Sequence, residues 1–292
     1  MPPDTKPEEL DPNAILQRLG FTEAASVTRA EGGTATDIWR VQTASDGDYA
    51  LRLFHEGDDD SAAMELAAMQ AASAAGLPVP TARAVGTWRG RPALLISWLA
   101  GRQVGAELRR APWRVWSLGL AFGRMQAAIQ ALPAPEPLTA RPHAWICWLG
   151  PDHRELAERL KREQAASALL HLDYHMENVL TDGQRIIGVL DWQNALAGPP
   201  RADAARTFAI LTLDYKGHIS LVERLVRNLF ARAWRAGYEA QAGPLGDMSL
   251  YNAWAGAIMQ RDLAGKRDAR DLARIARWTD KQWARAQTRE TR

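Results

Sequence analysis

His171-Leu-Asp173-Tyr-His175-Met-Glu177-Asn178-Val-Leu-Thr181-Asp182-Gly183-Gln-Arg-Ile186-Ile-Gly-Val-Leu190-Asp191-Trp192 is the stretch on which the fold of this 292-residue chain turns. Two short strand-like runs, 178–180 and 186–190, flank Thr181-Asp182-Gly183, a strong turn signal, and predict two strands joined by a tight turn. A hairpin brings its ends together. Asp173 and Asn178, before the first strand, therefore converge with Asp191, at the end of the second, although 18 residues separate the two aspartates.

Working outward, the chain changes character near residue 100. Before it, β-rich runs at 38–43 and 49–54 flank the turn Ser45-Asp46-Gly47, and 82–88 and 92–98 flank Arg89-Gly90-Arg91. A short helix capped by Asn13 precedes them. A helix over 58–75, stopped by Gly76 and Pro78-Val79-Pro80, separates the two pairs. Beyond residue 100, helical spacing recurs at 113–131, 154–169, 202–213, 217–236, 250–263 and 269–286. In the fourth of these, Val222, Leu225, Val226 and Leu229 form the apolar face expected to be buried. The fold class expected is α+β: a small antiparallel sheet lobe over 13–100 with one helix, a hinge near 98–104, and a larger, mainly helical lobe over 101–292 that contains the hairpin. Residues 1–12 read as a disordered lead.

Composition narrows the function classes. The 36 basic and 34 acidic residues leave a net charge of +2, too small a field to favour nucleic acid as a partner. A single cysteine, Cys147, excludes an internal disulfide and any cysteine-based metal cluster, as expected in a reducing compartment. The first residues carry no signal-like apolar run, and no stretch approaches the roughly 20 apolar residues of a membrane helix. The expected setting is cytoplasmic, without a membrane partner.

Two carboxylates and an amide converging on one point suit phosphoryl transfer, whose loose transition state is stabilised by positioning and charge. One carboxylate orients an acceptor hydroxyl and takes its proton, while the other, with an amide oxygen, suits Mg²⁺, a hard ion that prefers oxygen ligands. In the sheet-rich half, Glu31-Gly32-Gly33-Thr34 reads either as a phosphate-covering turn or as an ordinary hairpin turn.

At His171-Leu-Asp173-Tyr-His-Met-Glu-Asn178, the hairpin ending Gly-Val-Leu-Asp191-Trp192, and Gly198-Pro-Pro-Arg-Ala-Asp203-Ala-Ala-Arg206, the chain resembles the aminoglycoside-phosphotransferase and choline-kinase-like enzymes. These are distant relatives of protein kinases. The resemblance implies a bilobal protein-kinase-like fold and a kinase that moves the γ-phosphate of ATP or GTP to a hydroxyl of a small antibiotic or metabolite. It implies Asp173 as the orienting carboxylate or base, Asn178 and Asp191 as Mg²⁺ ligands, His171 as a brace of the loop and Asp203 as an anchor of its backbone. Gly32, Gly33 and Thr34 would cover phosphates, and the segment Ser97-Trp98-Leu99 would meet the nucleotide base. Arg52 stands where a phosphate-contacting lysine is usual; its fork can grip phosphate oxygens, with a different geometry. Glu65 is the helix acid that would hold it.

Two rivals stand beside this reading. A non-catalytic nucleotide-binding regulator of the same fold is motivated by Arg52 and the minimal glycine turn. A zinc-dependent hydrolase is suggested by His171, Asp173 and His175, but i, i+2, i+4 spacing converges only on a strand, and 174–177 lacks strand character. For the acceptor, residues 193–292 carry 17 basic against 10 acidic residues, a net +7 that disfavours a polycationic aminoglycoside. Trp145, Trp148, Tyr251 and Trp254 are candidates for stacking against a neutral or amphipathic acceptor.

Overall fold

A computed structural model describes residues 10–30, 36–44, 47–141, 143–163 and 167–290. Residues 1–9 of the expected lead, Gly32, Gly33 and Thr34, and Ser45-Asp46 lie outside the described residues. The chain divides into two compact units, one comprising the segments up to Leu66 and Pro80–Ala100, the other Ala67–Val79 and Gly101 onward.

The first unit opens with α1 (Pro12–Arg18). Its cap is Asp11, not Asn13: the Asp11 carboxylate accepts from Asn13 N at 2.9 Å, and Pro12 fills the first helical position, where a missing N–H costs nothing. Strands β1 (Ala24–Arg29), β2 (Asp37–Thr43) and β3 (Asp48–Leu53) follow. Then come α2 (Asp59–Ala74), β4 (Ala82–Trp88) and β5 (Arg91–Ser97). The five strands form one antiparallel sheet in the order β1-β2-β3-β5-β4.

Period-2 alternation sorts the faces. Trp39, Val41, Leu51, Leu53 and Leu95 join Ile15, Leu16 and Phe21 in one core, while Arg52, between Leu51 and Leu53, points to the other face, where Glu65 of α2 meets it. α2 is divided between the units, its later turns counting with the second. There the Pro78 carbonyl accepts from Val189 N at 2.8 Å, an attachment that the sequence pattern did not signal.

Beyond Ala67–Val79, the second unit continues with β6 (Arg102–Gln103), α3 (Val104–Arg110), α4 (Val115–Gln130), α5 (Glu136–Thr139) and α6 (Arg154–Arg162). Strands β7 (Ala168–Leu170), β8 (Val179–Thr181), β9 (Ile186–Val189) and β10 (Leu196–Gly198) carry the centre of the unit. Helices α7 (Pro200–Leu213), α8 (Leu221–Ala242), α9 (Ser249–Leu263) and α10 (Ala269–Glu290) complete it. The expected helix over 154–169 is therefore too long: it ends at Arg162, and Ala168–Leu170 pair as a strand with β10. β8 and β9 form the expected hairpin, with β6 added at its edge.

α8 corrects a second expectation. Leu221, Val222 and Leu225 are 80, 71 and 66% exposed, and the buried face comprises Phe230, Ala231, Ala233, Trp234, Gly237 and Tyr238. The cause is a small-residue seam shared with α4. A Cβ on Gly119 would stand 2.6 Å from that of Ala233, and Cβ atoms on Gly123 and Gly237 would strike the carbonyls of Trp234 and Leu120. Close backbone approach at these glycines selects the later part of α8 for burial; the apolar spacing nearer its start does not. No helix among the described residues is long and apolar enough to cross a membrane.

Candidate active site

β7 leads directly into the loop that carries the polar residues. Leu172 is fully buried with φ of 60°, a left-handed conformation that costs a non-glycine residue about 1–2 kcal/mol. Hydrogen bonds hold it there. The Asp203 carboxylate, buried on the first turn of α7, accepts from Leu172 N at 2.7 Å, His171 N at 3.3 Å and the Gln130 amide at 2.8 Å. Arg206, one turn further along α7, donates from Nε to Leu172 O at 3.4 Å and pairs with Asp262 at 3.0 Å. The Thr207 hydroxyl donates to Tyr174 O at 3.0 Å, and the buried Tyr174 hydroxyl donates to Phe122 O at 2.9 Å.

His171 is fully buried and both ring nitrogens are engaged. Nδ1 accepts from Asp173 N at 3.3 Å, so Nε2 carries the proton it gives to Leu190 O at 2.9 Å. This imidazole joins the loop to the residue before Asp191. It also has no lone pair left for zinc.

The hairpin completes the convergence. Leu190 N donates to Asn178 O at 2.8 Å, which sets Asp191 one residue beyond the cross-strand neighbour of Asn178. Asp191 is exposed with φ of 60°, a conformation that aspartate tolerates better than most residues. The Asn178 amide donates to Asp173 O at 3.0 Å and to its carboxylate at 3.2 Å, which turns the amide oxygen away from Asp173.

His175 is half-buried, with Nε2 3.7 Å from the Asp173 carboxylate. Burial pushes the imidazole down, but the nearby Asp173 carboxylate, then the charges of Glu177 and Asp191, leave it above its ordinary value. For Asp173, burial pushes the carboxyl up, and the nearby His175 imidazole, with smaller contributions from His171 and the Arg206 charge, brings it below its ordinary value. One imidazole thus feels both aspartates, and Asp173 is held as the anion.

In the first unit the side chains of Arg52 and Glu65 are 8% and 0% exposed and form a direct ion pair. At the end of β5, Ser97 N donates to Thr81 O at 2.9 Å and Trp98 N to Asp48 O at 2.8 Å, so neither N–H is available to a nucleotide base. The Trp98 ring lies under Arg40 at 4.9 Å. Of the rings proposed for acceptor stacking, Trp145, Tyr251 and Trp254 are 2, 3 and 0% exposed and pack on one another, which makes them core. Trp148 is half-buried, with Arg261 at 5.8 Å over its ring.

Sequence reading missed Gln130, Arg206 and Thr207. Arg206 had a signal, since it shares a helix face with Asp203 at i+3. Gln130 had none: its contact with Asp203 spans 73 residues.

Among the described residues no group of three or more His, Cys, Asp or Glu is placed to hold a metal ion. The Asn178 amide oxygen and the Asp191 carboxylate are nevertheless hard donors on adjoining strand ends. Such a pair suits Mg²⁺, which keeps several waters and takes its remaining ligands from substrate phosphates.

With that geometry in hand, residues 26–244 match the model of the phosphotransferase enzyme family. The chain belongs to this family. Homoserine kinase of Methylobacillus glycogenes is 32% identical over 186 residues, covering 57% of each chain, so the match spans little more than half of that relative. Among solved structures, a thermostable mutant of aminoglycoside phosphotransferase APH(4)-Ia with AMP-PNP and hygromycin B superposes with a TM-score of 0.64 at 17% identity, over 92% of this chain and 96% of that one. APH(2")-IIia with GDP and kanamycin superposes with a TM-score of 0.61 at 14% identity, over 94% and 98%. At such identities the likeness shows the kinase-like α+β fold expected for the family.

Proposed function

We propose that the chain is a small-molecule kinase that transfers the γ-phosphoryl group of a nucleoside triphosphate, ATP or GTP, to a hydroxyl, with Mg²⁺. The observation that supports this reading is the bonded loop and hairpin in which the Asn178 amide donates to the Asp173 carboxylate and Leu190 N donates to Asn178 O, so that Asp191 follows the cross-strand neighbour of Asn178. Asp173 orients the acceptor hydroxyl; as its oxygen bonds to the γ-phosphorus, the bond from phosphorus to the β–γ bridging oxygen breaks and the diphosphate leaves. The hydroxyl proton passes to the Asp173 carboxylate and on to solvent. Asn178 and Asp191 would hold Mg²⁺, which supplies charge to the phosphate oxygens when bound. Arg52, braced by Glu65, serves as a phosphate-binding cation, and base recognition falls to backbone near Leu99, since the Ser97 and Trp98 N–H groups are engaged.

For the acceptor we favour a small hydroxylated metabolite of zwitterionic or anionic character. The net +7 of residues 193–292 opposes a polycation, and the homoserine kinase relative acts on a hydroxy amino acid. The test is mass-spectrometric detection of phosphorylated product with ATP and with GTP, offered homoserine, other hydroxy acids, kanamycin and hygromycin B. Phosphorylation of a hydroxy amino acid supports the reading. Phosphorylation of the aminoglycosides alone overturns the acceptor class, and nucleotide binding with no transfer to any acceptor identifies a regulator.

A further inference from the structure

A second cavity, of about 380 Å³, lies among α7, α8, α9 and α10 and takes no part in the chemistry above. No residue of the loop 171–178 or of the hairpin lines it, although Phe208 in its wall follows Thr207, whose hydroxyl donates to Tyr174 O.

The lining has three chemical parts. Its floor is aromatic, with Phe208 stacked on Trp234 at 6.2 Å and against Trp278 at 6.3 Å. Its rim is cationic. Arg235 is partly neutralised by Glu239 at 2.9 Å, whereas Lys281 and Arg285, one turn apart on α10, have no carboxylate partner among the described residues. The third part is an acceptor: Asn252 is 8% exposed, its amide N–H reaches Gln282 Oε1 at 3.4 Å, and its Oδ1 meets no donor. Buried acceptors are seldom left so.

We propose that this cavity binds a small aromatic carboxylate that also carries a hydroxyl or N–H donor. The carboxylate sits between Lys281 and Arg285, the ring lies against Phe208 and Trp278, and the donor reaches Asn252 Oδ1. Each part of the lining selects one part of the ligand. The volume suits a molecule of one ring.

Isothermal titration of the full chain with 4-hydroxyphenylacetate tests this, with phenylacetate lacking the donor and tyramine lacking the carboxylate. The expected result is one site for 4-hydroxyphenylacetate, affinity at least about tenfold weaker for phenylacetate, and no binding of tyramine. Lys281→Glu with Arg285→Glu, both exposed positions, should weaken 4-hydroxyphenylacetate at least about tenfold while the circular dichroism spectrum is unchanged. Absence of binding up to roughly 10 mM, equal affinity for tyramine or phenylacetate, or full affinity in a folded double variant would overturn the assignment.

Discussion

Replacing Asp203 by asparagine tests the support of the loop that carries Asp173 without altering the side chain's volume. The wild-type carboxylate accepts three hydrogen bonds in a fully buried site, from Leu172 N at 2.7 Å, from Gln130 at 2.8 Å and from His171 N at 3.3 Å. An amide has one acceptor atom in place of two, so whichever way the substituted side chain turns, its NH₂ faces at least one buried donor. Gln130 cannot simply flip, because its oxygen already accepts from the Tyr238 hydroxyl. Each buried donor left unpaired costs about 1–3 kcal/mol, and the bonds that survive lose their charge assistance. The expected loss is about 2–4 kcal/mol in stability, read from urea denaturation of the variant against the wild type. Leu172, strained at φ 60°, either loses its tether or keeps only a bond to a neutral amide, and Asp173 shifts with it, so turnover should fall by about 10²-fold or more. A variant within about 0.5 kcal/mol of wild type, with normal turnover, would refute the reasoning.

Three further outcomes follow from the packing and electrostatics. Glu65→Gln, which leaves Arg52 buried beside a neutral partner, should cost about 3 kcal/mol in denaturation, and Arg52→Met with Glu65→Leu should recover most of it. Gly123→Ala should lower stability by more than about 2 kcal/mol or prevent soluble expression, because its methyl group meets backbone of α8, whereas Ala at the exposed Val222 should be nearly neutral. Glu107 is 2% exposed, and hydrogen bonds from Arg102 first, then the charges of both Arg102 and Arg114, hold its carboxyl below 4.5. Its stabilising contribution is therefore complete above pH 4.5 and lost as pH falls through the folded value, so Glu107→Gln should flatten the acid limb of a stability profile and leave its alkaline side unchanged.

What was legible in the sequence was local. The hairpin followed from Thr181-Asp182-Gly183 between apolar runs, and its closure alone placed Asp191 beside Asn178. The pairing of Arg52 with Glu65 was also within reach, since strand alternation sets Arg52 against the helix that follows. What depended on distant partners was not. Gln130, Gln126 and Thr207 become polar supports only when α4 and α7 meet, and nothing in their own neighbourhoods marks them. The α8 stripe misled for the same reason: burial there is decided by Gly119 and Gly123 on another helix, so periodicity identified an apolar face without showing which turns it covers. The tryptophans of α9 and the segment before α6 had the composition of a ligand wall, yet Trp145, Tyr251 and Trp254 spend their faces on one another.

The central claim is that a single hairpin delivers both carboxylates of a phosphoryl-transfer site, and Asp191→Ala tests it most directly. Asp191 is exposed at the end of the hairpin, and although alanine tolerates its φ of 60° less well than aspartate, a cost of about 1 kcal/mol should leave the fold intact. With purified wild type and variant, nucleoside triphosphate and Mg²⁺, transfer of labelled γ-phosphate to an accepted hydroxylated substrate should fall by at least about 10³-fold in the variant, with a thermal transition lowered by no more than about 4 °C. Wild-type rates of transfer in the folded variant would contradict the account.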